Sequence, residues 1–242
     1  MAMAGNDVVI EAFTELAPRY EETMDWELRE LWGVSYEDFV NRLMELVPLK
    51  DGDVVLDVAT GTARIPLKIA SQAGAKGRIV GLDITWAMLR QGLANVEARG
   101  LTPRIGLVCA SAMEMPFVEG VFDVVICGLG MHHMDVPRVL SEMRRVLKEG
   151  GRLVMACVGA PRLWRSFWGS ALLRILLARY RLTHRNARGQ AEVEAFPNIR
   201  TASEWCTLLW NSGFGEIRMA ESSARRPWYP CALLIRAVAR RV

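Results

Sequence analysis

Short apolar runs alternate with longer amphipathic segments along most of the chain. Five of these runs are rich in β-branched residues and have the length of buried strands; they lie at residues 54–58, 78–83, 105–108, 122–127 and 152–158. The segments between them carry apolar residues at every third or fourth position, which predicts helices. Strands that are apolar on both faces and alternate with helices are typical of a parallel sheet with right-handed crossovers. We therefore predict an α/β fold whose ligands bind at the carboxyl ends of the strands.

The two ends of the chain extend this pattern. Amphipathic helices are predicted at 8–22 and 36–47, and a helix at 201–212 precedes strands at 216–220 and 231–238. The complete sheet is then Rossmann-like, seven-stranded and mostly parallel, with helices on both faces, and the final hairpin adds one antiparallel strand. We expect residues 1–242 to form a single domain with four parts: an N-terminal helical cap (1–48), a core (49–158), a lid insertion (159–200) and a C-terminal helix with a strand pair (201–242).

The composition is that of an ordinary globular protein. Of 242 residues, 51% are apolar and 24% are charged, which excludes collagen-like, coiled-coil and disordered chains. The five cysteines form no Cys-x-x-Cys pair, so neither a zinc ribbon nor a redox dithiol is expected. The first residues carry no basic, apolar leader, and no apolar run reaches the ~20 residues that span a bilayer, so we expect a cytoplasmic location. A net charge of +3 gives no reason to expect a nucleic-acid partner.

The lid insertion has a distinct charge pattern. Residues 161–190 hold seven arginines and no acidic residue, while Trp164, Trp168, Leu172 and Ile175 recur at steps of three and four. Three interpretations remain open. The segment is a lid over a lipophilic substrate, with Trp164 and Trp168 as substrate-binding residues; or a helix that makes peripheral contact with anionic lipid; or ordinary core with a solvated basic face.

The turn after the first strand has the composition of a nucleotide-binding loop. It runs Asp57-Val58-Ala59-Thr60-Gly61-Thr62-Ala63-Arg64. Small residues let a ligand approach the backbone, and the first N–H groups of the next helix are free to bind it. A dinucleotide site needs a glycine where Arg64 stands. The spacing fits better the Asp-x-(Gly/Ala)-x-Gly-x-(Gly/Ala) loop of enzymes that use S-adenosyl-L-methionine (AdoMet), and a plain tight turn is the alternative.

A second carboxylate supports the same interpretation. Asp83 ends the second strand, where a carboxylate can accept hydrogen bonds from both hydroxyls of a ribose. Ile84 and Met88 follow it and are placed to flank an adenine ring. The alternative for Asp83 is a helix N-cap.

Five segments occur in the same order as in class I AdoMet-dependent methyltransferases. They are 55–62, 81–84, 110–117, 122–125 and 142–151, the last of which, Glu-Met-Arg-Arg-Val-Leu-Lys-Glu-Gly-Gly, resembles a signature written E-x-x-R-V-L-K-P-G-G. The chain thus resembles small-molecule members of that family. Ala-Phe-Pro-Asn-Ile-Arg at 195–200, followed by a helix and Gly213-Phe214, is similar to ubiquinone- and menaquinone-pathway C-methyltransferases.

The resemblance implies AdoMet as cofactor, S-adenosyl-L-homocysteine as product and a small aromatic or lipophilic acceptor, methylated on carbon or oxygen. The residues it assigns to the cofactor are Tyr20, Asp57, Ala59, Thr60, Gly61, Thr62, Asp83, Ile84, Met88, Ser111, Ala112, Met113, Cys127 and Gly128. Three positions depart from the family pattern, since Ser111 replaces an Asp, Ala63 a Gly and Glu149 a Pro. Because a hydroxyl forms weaker hydrogen bonds than a carboxylate, we expect Ser111 to weaken the grip on the adenine.

His132 and His133 lie shortly after the fourth strand, where the methyl group would be presented. Either is a candidate base for an acceptor that must lose a proton, and packing with a backbone hydrogen bond is the alternative. As metal ligands the two histidines lack partners, so no metal is expected. A protein or nucleic-acid methyltransferase is disfavoured, because no Asn/Asp-Pro-Pro-Tyr motif follows this strand. A non-catalytic AdoMet-binding protein of the same fold is a further alternative.

Overall fold

A single sheet organises the protein. The computed structural model describes residues 6–72, 77–222 and 224–241, without the side chain of Leu176. Within them, the strands are β1 (Val55–Val58), β2 (Ile79–Asp83), β3 (Ile105–Cys109), β4 (Phe122–Gly128), β5 (Leu147–Gly159), β6 (Phe214–Ser222) and β7 (Cys231–Ala239). Their order is β3-β2-β1-β4-β5-β7-β6. The first five pair in parallel, and β7 is antiparallel to both of its neighbours. The predicted seven-stranded, mostly parallel sheet is confirmed.

Helices cover both faces of this sheet. The described residues form α1 (Asn6–Leu16), α2 (Tyr20–Trp32), α3 (Tyr36–Glu45), α4 (Arg64–Ser71), α5 (Trp86–Glu97), α6 (Val136–Val146), α7 (Phe167–Thr183), α8 (Ala187–Ala195) and α9 (Ala202–Asn211). Residues of β4 alternate between two apolar clusters, with Val124 and Ile126 in one and Val125 and Cys127 in the other. This alternation follows from the period of two along a strand, so each face of the sheet has its own core.

One predicted helix is interrupted in the structure. The helix expected at 8–22 contains a 3-10 turn at Ala17–Arg19, since Pro18 has no N–H to continue the α-helical ladder. The apolar pattern also predicts a helix from Ile65 to Ala73; α4 begins at Arg64, and the predicted end lies outside the described residues. Ser35, Asp135, Ser166, Asn186 and Thr201 cap the helices that follow them. Among the described helices, none combines the length and the hydrophobicity needed to cross a bilayer.

The apolar stripe predicted in the insertion is not one continuous surface. Trp164 lies in a 3-10 turn and is buried. Its ring packs near Phe196, with ring centroids 5.1 Å apart, and its Nε1 donates a hydrogen bond to the carbonyl of Trp228. Trp168 lies in the first turn of α7 and is 81% exposed, and Leu172 and Ile175 are exposed as well. The regular spacing does not give one face because the 3-10 turn ends and α7 begins after its N-cap, Ser166. Residues before and after Ser166 therefore belong to different helices.

Candidate functional site

A cleft opens at the carboxyl ends of β1, β2, β3 and β4, below the N-terminal helices. Predicted residues line most of it: Tyr20, Ala59, Gly61, Asp83, Ile84, Met88, Ser111, Ala112, Met113, Gly128 and His133. Residues that the sequence did not single out complete the lining: Asn6, Val9, Phe13, Leu82, Thr85, Leu129, Gly130 and Met134. The cleft therefore lies where the topology of an open parallel sheet places ligands.

Asp83 joins two backbone segments of the cleft. Its Oδ2 accepts a hydrogen bond from the N–H of Gly61 at 2.9 Å, and its Oδ1 accepts one from the N–H of Thr85 at 2.8 Å. Burial raises the pKa of Asp83, and the two backbone donors oppose that shift. The hydroxyl of Thr85 and the N–H of Ile84 also stabilise the charged carboxylate, so a ligand's hydroxyl groups would share Asp83 with these donors. Thr85 occupies the N-cap position of α5, yet its hydroxyl does not cap the helix.

The loop after β1 has the backbone conformation of a glycine-rich turn, although two of its positions with positive φ are alanines. Gly61 has φ +55°, and a Cβ there would lie 3.1 Å from Cε of Met88 and 3.8 Å from Cε1 of Tyr20. Ala59 and Ala63 also have positive φ, at 56° and 63°. A left-handed alanine costs about 1–2 kcal/mol. The loop thus holds a strained conformation in which Met88 and Tyr20 lie close above Gly61.

Asp57 lies beneath this loop and does not line the cleft. Its Oδ2 accepts the hydroxyl hydrogen of Thr60 at 2.6 Å, while its buried Oδ1 has no hydrogen-bond partner among the described residues. Burial, with a smaller contribution from the charge of Asp83, raises the pKa of Asp57 to about 7. A buried, unpartnered carboxylate oxygen favours a cationic hydrogen-bond donor nearby, and the ammonium of a methionine moiety is such a donor.

Thr62 and Cys127 also lie behind the surface of the cleft. The hydroxyl of Thr62 donates to Oε1 of Glu21 at 3.0 Å, and Arg64 donates to Oε2 of the same carboxylate at 3.3 Å. Glu21 therefore ties α2 to the loop after β1. The sequence carried no local signal for this link, because Glu21 is one of several acidic residues on the exposed side of its helix. Cys127 is fully buried in β4.

The two adjacent histidines occupy different positions. His133 lines the cleft and packs edge-on against Phe13, with ring centroids 5.3 Å apart, whereas His132 lies behind it. The two imidazole rings are 4.1 Å apart, and Nδ1 of each is buried without a hydrogen-bond partner in the described part of the chain. Burial lowers the pKa of His132 to about 3 and that of His133 to about 4. Both rings are therefore neutral near pH 7.

The predicted substrate-binding tryptophans do not line this cleft. Trp164 borders a second cavity, formed by α2, α7 and α8, whose walls also include Tyr180, Glu192 and Phe196. Trp168 projects from the surface of α7. Glu192 lies between the two cavities, because its Oε1 is 3.9 Å from Nε2 of His133. An acceptor-binding role for either tryptophan stays a prediction.

Replacing Gly130 with alanine should destabilise the protein by about 1–3 kcal/mol through overpacking. A Cβ at this position would lie 2.6 Å from Cβ of Ala59, which also lines the cleft. The double variant Gly130→Ala, Ala59→Gly should regain most of that stability, because the second change removes the clashing methyl group and relieves the positive φ. Denaturant unfolding measures both effects. Gly106→Ala is the matched control, since a Cβ there meets nothing within 4 Å. Equal losses in the single and double variants would contradict this packing.

Comparison with known proteins gives the same fold and one family. The ubiE/COQ5 methyltransferase family matches residues 1–165. A demethylmenaquinone methyltransferase of Symbiobacterium thermophilum is 34% identical over 160 residues, which cover 66% of this chain and 61% of that protein. The match thus spans less than two thirds of the relative's length.

Solved structures share the architecture at low sequence identity. Phosphoethanolamine N-methyltransferase 2 of Haemonchus contortus, crystallised with AdoMet, has a TM-score of 0.67 at 15% identity, covering 95% of this chain and 60% of that one. The [4+2]-cyclase SpnF has a TM-score of 0.66 at 20% identity, covering 85% and 81% of the two chains. Because one of these proteins is a methyltransferase and the other a cyclase, similarity at this level establishes the fold and not the reaction.

Proposed function

The chain belongs to the ubiE/COQ5 methyltransferase family, and from this premise we propose that it transfers a methyl group from AdoMet to a small, lipophilic acceptor of the quinol type. The observation that carries the proposal is the Asp83 carboxylate, which lines the cleft at the end of β2 and is held there by the N–H groups of Gly61 and Thr85. The demethylmenaquinone methyltransferase relative supports a quinol acceptor methylated on carbon, and oxygen is the alternative atom.

The chain's own residues fit AdoMet at three places. Asp83 would accept the ribose hydroxyls, and the unpartnered Oδ1 of Asp57 below Gly61 would stabilise the methionine end. The adenine would lie among cleft residues with apolar or small side chains: Ile84, Met88, Ser111, Ala112 and Met113. The hydroxyl of Ser111 already accepts the N–H of Met113 at 3.2 Å, so it offers the adenine amine less than an Asp would.

The catalytic demands on the protein are modest. AdoMet supplies an electrophilic methyl carbon on a sulfonium, so the protein mainly has to hold the acceptor in line and promote loss of its proton. We assign the second task to His133, because it lines the cleft and His132 does not. Phe13 packs against the His133 ring and restricts its orientation. Tyr20 covers the same space, and burial together with the charge of Asp83 raises its pKa, so its hydroxyl stays protonated.

A two-stage assay tests the proposal. Calorimetry with AdoMet should give one site per chain, and turnover should then appear with demethylquinols in a panel that also contains simple phenols, a protein extract and RNA. Binding without turnover on any acceptor would favour the non-catalytic alternative. Turnover confined to protein or RNA would contradict the small-molecule acceptor, and absence of AdoMet binding would contradict the whole assignment.

We propose a second partner for the surface of α7, namely an anionic lipid bilayer from which a lipophilic acceptor is taken. Phe167 and Trp168 are 77% and 81% exposed, and Leu172 and Ile175 are exposed on the same helix. Five of the seven arginines at 161–190 make no ion pair within the described residues: Arg162, Arg174, Arg179, Arg181 and Arg185. Exposed apolar side chains beside unbalanced positive charge match the interfacial region of an anionic membrane.

The double variant Phe167→Ala, Trp168→Ala should bind vesicles of phosphatidylglycerol and phosphatidylcholine more than about tenfold less tightly than the unaltered protein, since two large apolar side chains no longer insert. Cosedimentation measures the affinity, and high salt should weaken it because arginine–lipid attraction is screened. Trp86→Ala is the control, as this exposed tryptophan lies on α5. An equal loss in both variants, or vesicle binding that ignores α7 altogether, would contradict the membrane surface.

A further inference from the structure

Three potential metal ligands from separate parts of the chain meet beside the cleft. His132 and His133 lie in the 3-10 turn Met131–His133 after β4, and Glu192 lies on α8 of the insertion. One ligand atom from each residue can be chosen so that all three lie within 4.8 Å of one another. The closest measured approach joins Nε2 of His133 to Oε1 of Glu192, at 3.9 Å. The fold thus assembles a two-histidine, one-carboxylate set that the sequence keeps far apart.

A second observation concerns the hydrogen bonding of the two histidines. Nδ1 of each histidine is buried and has no hydrogen-bond partner in the described part of the chain, and the His133 side chain is only 7% exposed. Buried polar atoms are usually satisfied, so two unpartnered nitrogens on rings whose centroids are 4.1 Å apart need an explanation.

The surrounding charges are compatible with a cation. Arg188 lies near His133, but it forms an ion pair with Glu27, so its charge is balanced locally. Glu192 has a side chain that is 38% exposed and adds a negative charge on the open side of the cluster.

We infer that His132, His133 and Glu192 bind one divalent transition-metal ion, such as Zn²⁺, that accepts imidazole nitrogen and carboxylate oxygen. Ligand atoms around tetrahedral Zn²⁺ are about 3.3 Å apart when each bond is about 2.0–2.1 Å, so the cluster has to contract by roughly an ångström. Glu192 can supply this movement because it is partly exposed on a surface helix. The ion would also connect the insertion to the core.

The ion's role deepens the proposed function and rests on it. Three protein ligands leave at least one coordination position open, and His133 places that position at the cleft. A hydroxyl of a quinol-type acceptor bound there would lose its proton more readily, because a divalent cation stabilises the oxyanion that remains. The proton leaves to solvent, and no redox step is involved. His133 would then promote proton loss as a ligand of the ion.

The test starts with metal binding, which does not depend on methyl transfer. Untagged protein is treated with chelator, dialysed and titrated with Co²⁺, followed by visible absorption, and with Zn²⁺, followed by calorimetry. We expect one ion per chain and a loss of affinity greater than about tenfold in Glu192→Gln and in His133→Ala. Two matched controls should bind as the unaltered protein does: Glu194→Gln, on the same helix and hydrogen-bonded to Gln190, and His184→Ala, the third histidine.

The outcomes separate this inference from the proposed function. Absence of stoichiometric binding, or binding that survives Glu192→Gln and is lost in His184→Ala, overturns the metal site. If chelator-treated protein binds AdoMet and turns over an acceptor at the full rate, the metal site fails and methyl transfer stands. If Co²⁺ binds through Glu192 while AdoMet does not bind at all, the metal site stands and the proposed function fails.

Discussion

Replacing His133 with alanine is expected to lower turnover by about 10²–10⁴-fold, the usual contribution of a group that promotes proton transfer. AdoMet affinity should change little, because His133 touches neither Asp83 nor the loop around Gly61. The reason for choosing this histidine is geometric. His133 lines the cleft against Phe13, whereas His132 lies behind it. Steady-state kinetics with the accepted quinol, together with calorimetry for AdoMet, measure the two quantities separately.

Two further variants control this experiment. His184→Ala should turn over normally, since His184 stacks on Tyr180 at the end of α7. His132→Ala distinguishes two ways in which His133 can act. A direct imidazole base leaves this variant near the unaltered rate, and an ion shared by both histidines lowers it as well. If His133→Ala keeps the full rate with every accepted substrate, proximity and orientation alone carry the reaction.

The sheet and the floor of the cleft could be predicted because their signals are local. Apolar runs that alternate with helices indicate parallel strands. A parallel sheet brings the carboxyl ends of β1 and β2 together, independently of the conformation of the loops that connect them. Asp57 lies in β1, Gly61 in the loop after it and Asp83 at the end of β2, so their proximity follows from the pairing of these neighbouring strands. The 3-10 interruption at Pro18 also had a local signal, since proline cannot continue a helix from its interior.

The rest of the site depends on contacts between distant segments. Glu21 reaches Thr62, and Glu192 reaches His133, without any periodic or compositional feature that distinguishes them from other surface carboxylates. The same holds for Trp164. Its spacing from Trp168 is that of a helical stripe, but only the structure places a helix start at Ser166 between them. Spacing predicts a shared face only when one uninterrupted helix contains both residues.

Replacing Asp83 with alanine is expected to weaken AdoMet binding by roughly 10–150-fold, or about 1.5–3 kcal/mol, the range for hydrogen bonds to a charged group. Asp83 accepts the N–H groups of Gly61 and Thr85 and would also accept the ribose hydroxyls. Ser111→Ala should cost only about 1 kcal/mol, or roughly fivefold, because a neutral hydroxyl that already accepts from Met113 is lost.

Asp83→Asn separates the loss of charge from the loss of the side chain. An asparagine keeps the shape of the side chain and one acceptor oxygen, but it loses the charge and one of the two backbone bonds. We therefore expect an affinity between those of the unaltered protein and Asp83→Ala, and a loss of about 1–3 kcal/mol in the free energy of unfolding, since one buried N–H is left without an acceptor. Calorimetry with AdoMet and denaturant unfolding on all three variants check this order. Equal losses of affinity in Asp83→Ala and Ser111→Ala would remove Asp83 from the ribose site, because a carboxylate that contacts the ligand must cost more than a hydroxyl engaged elsewhere.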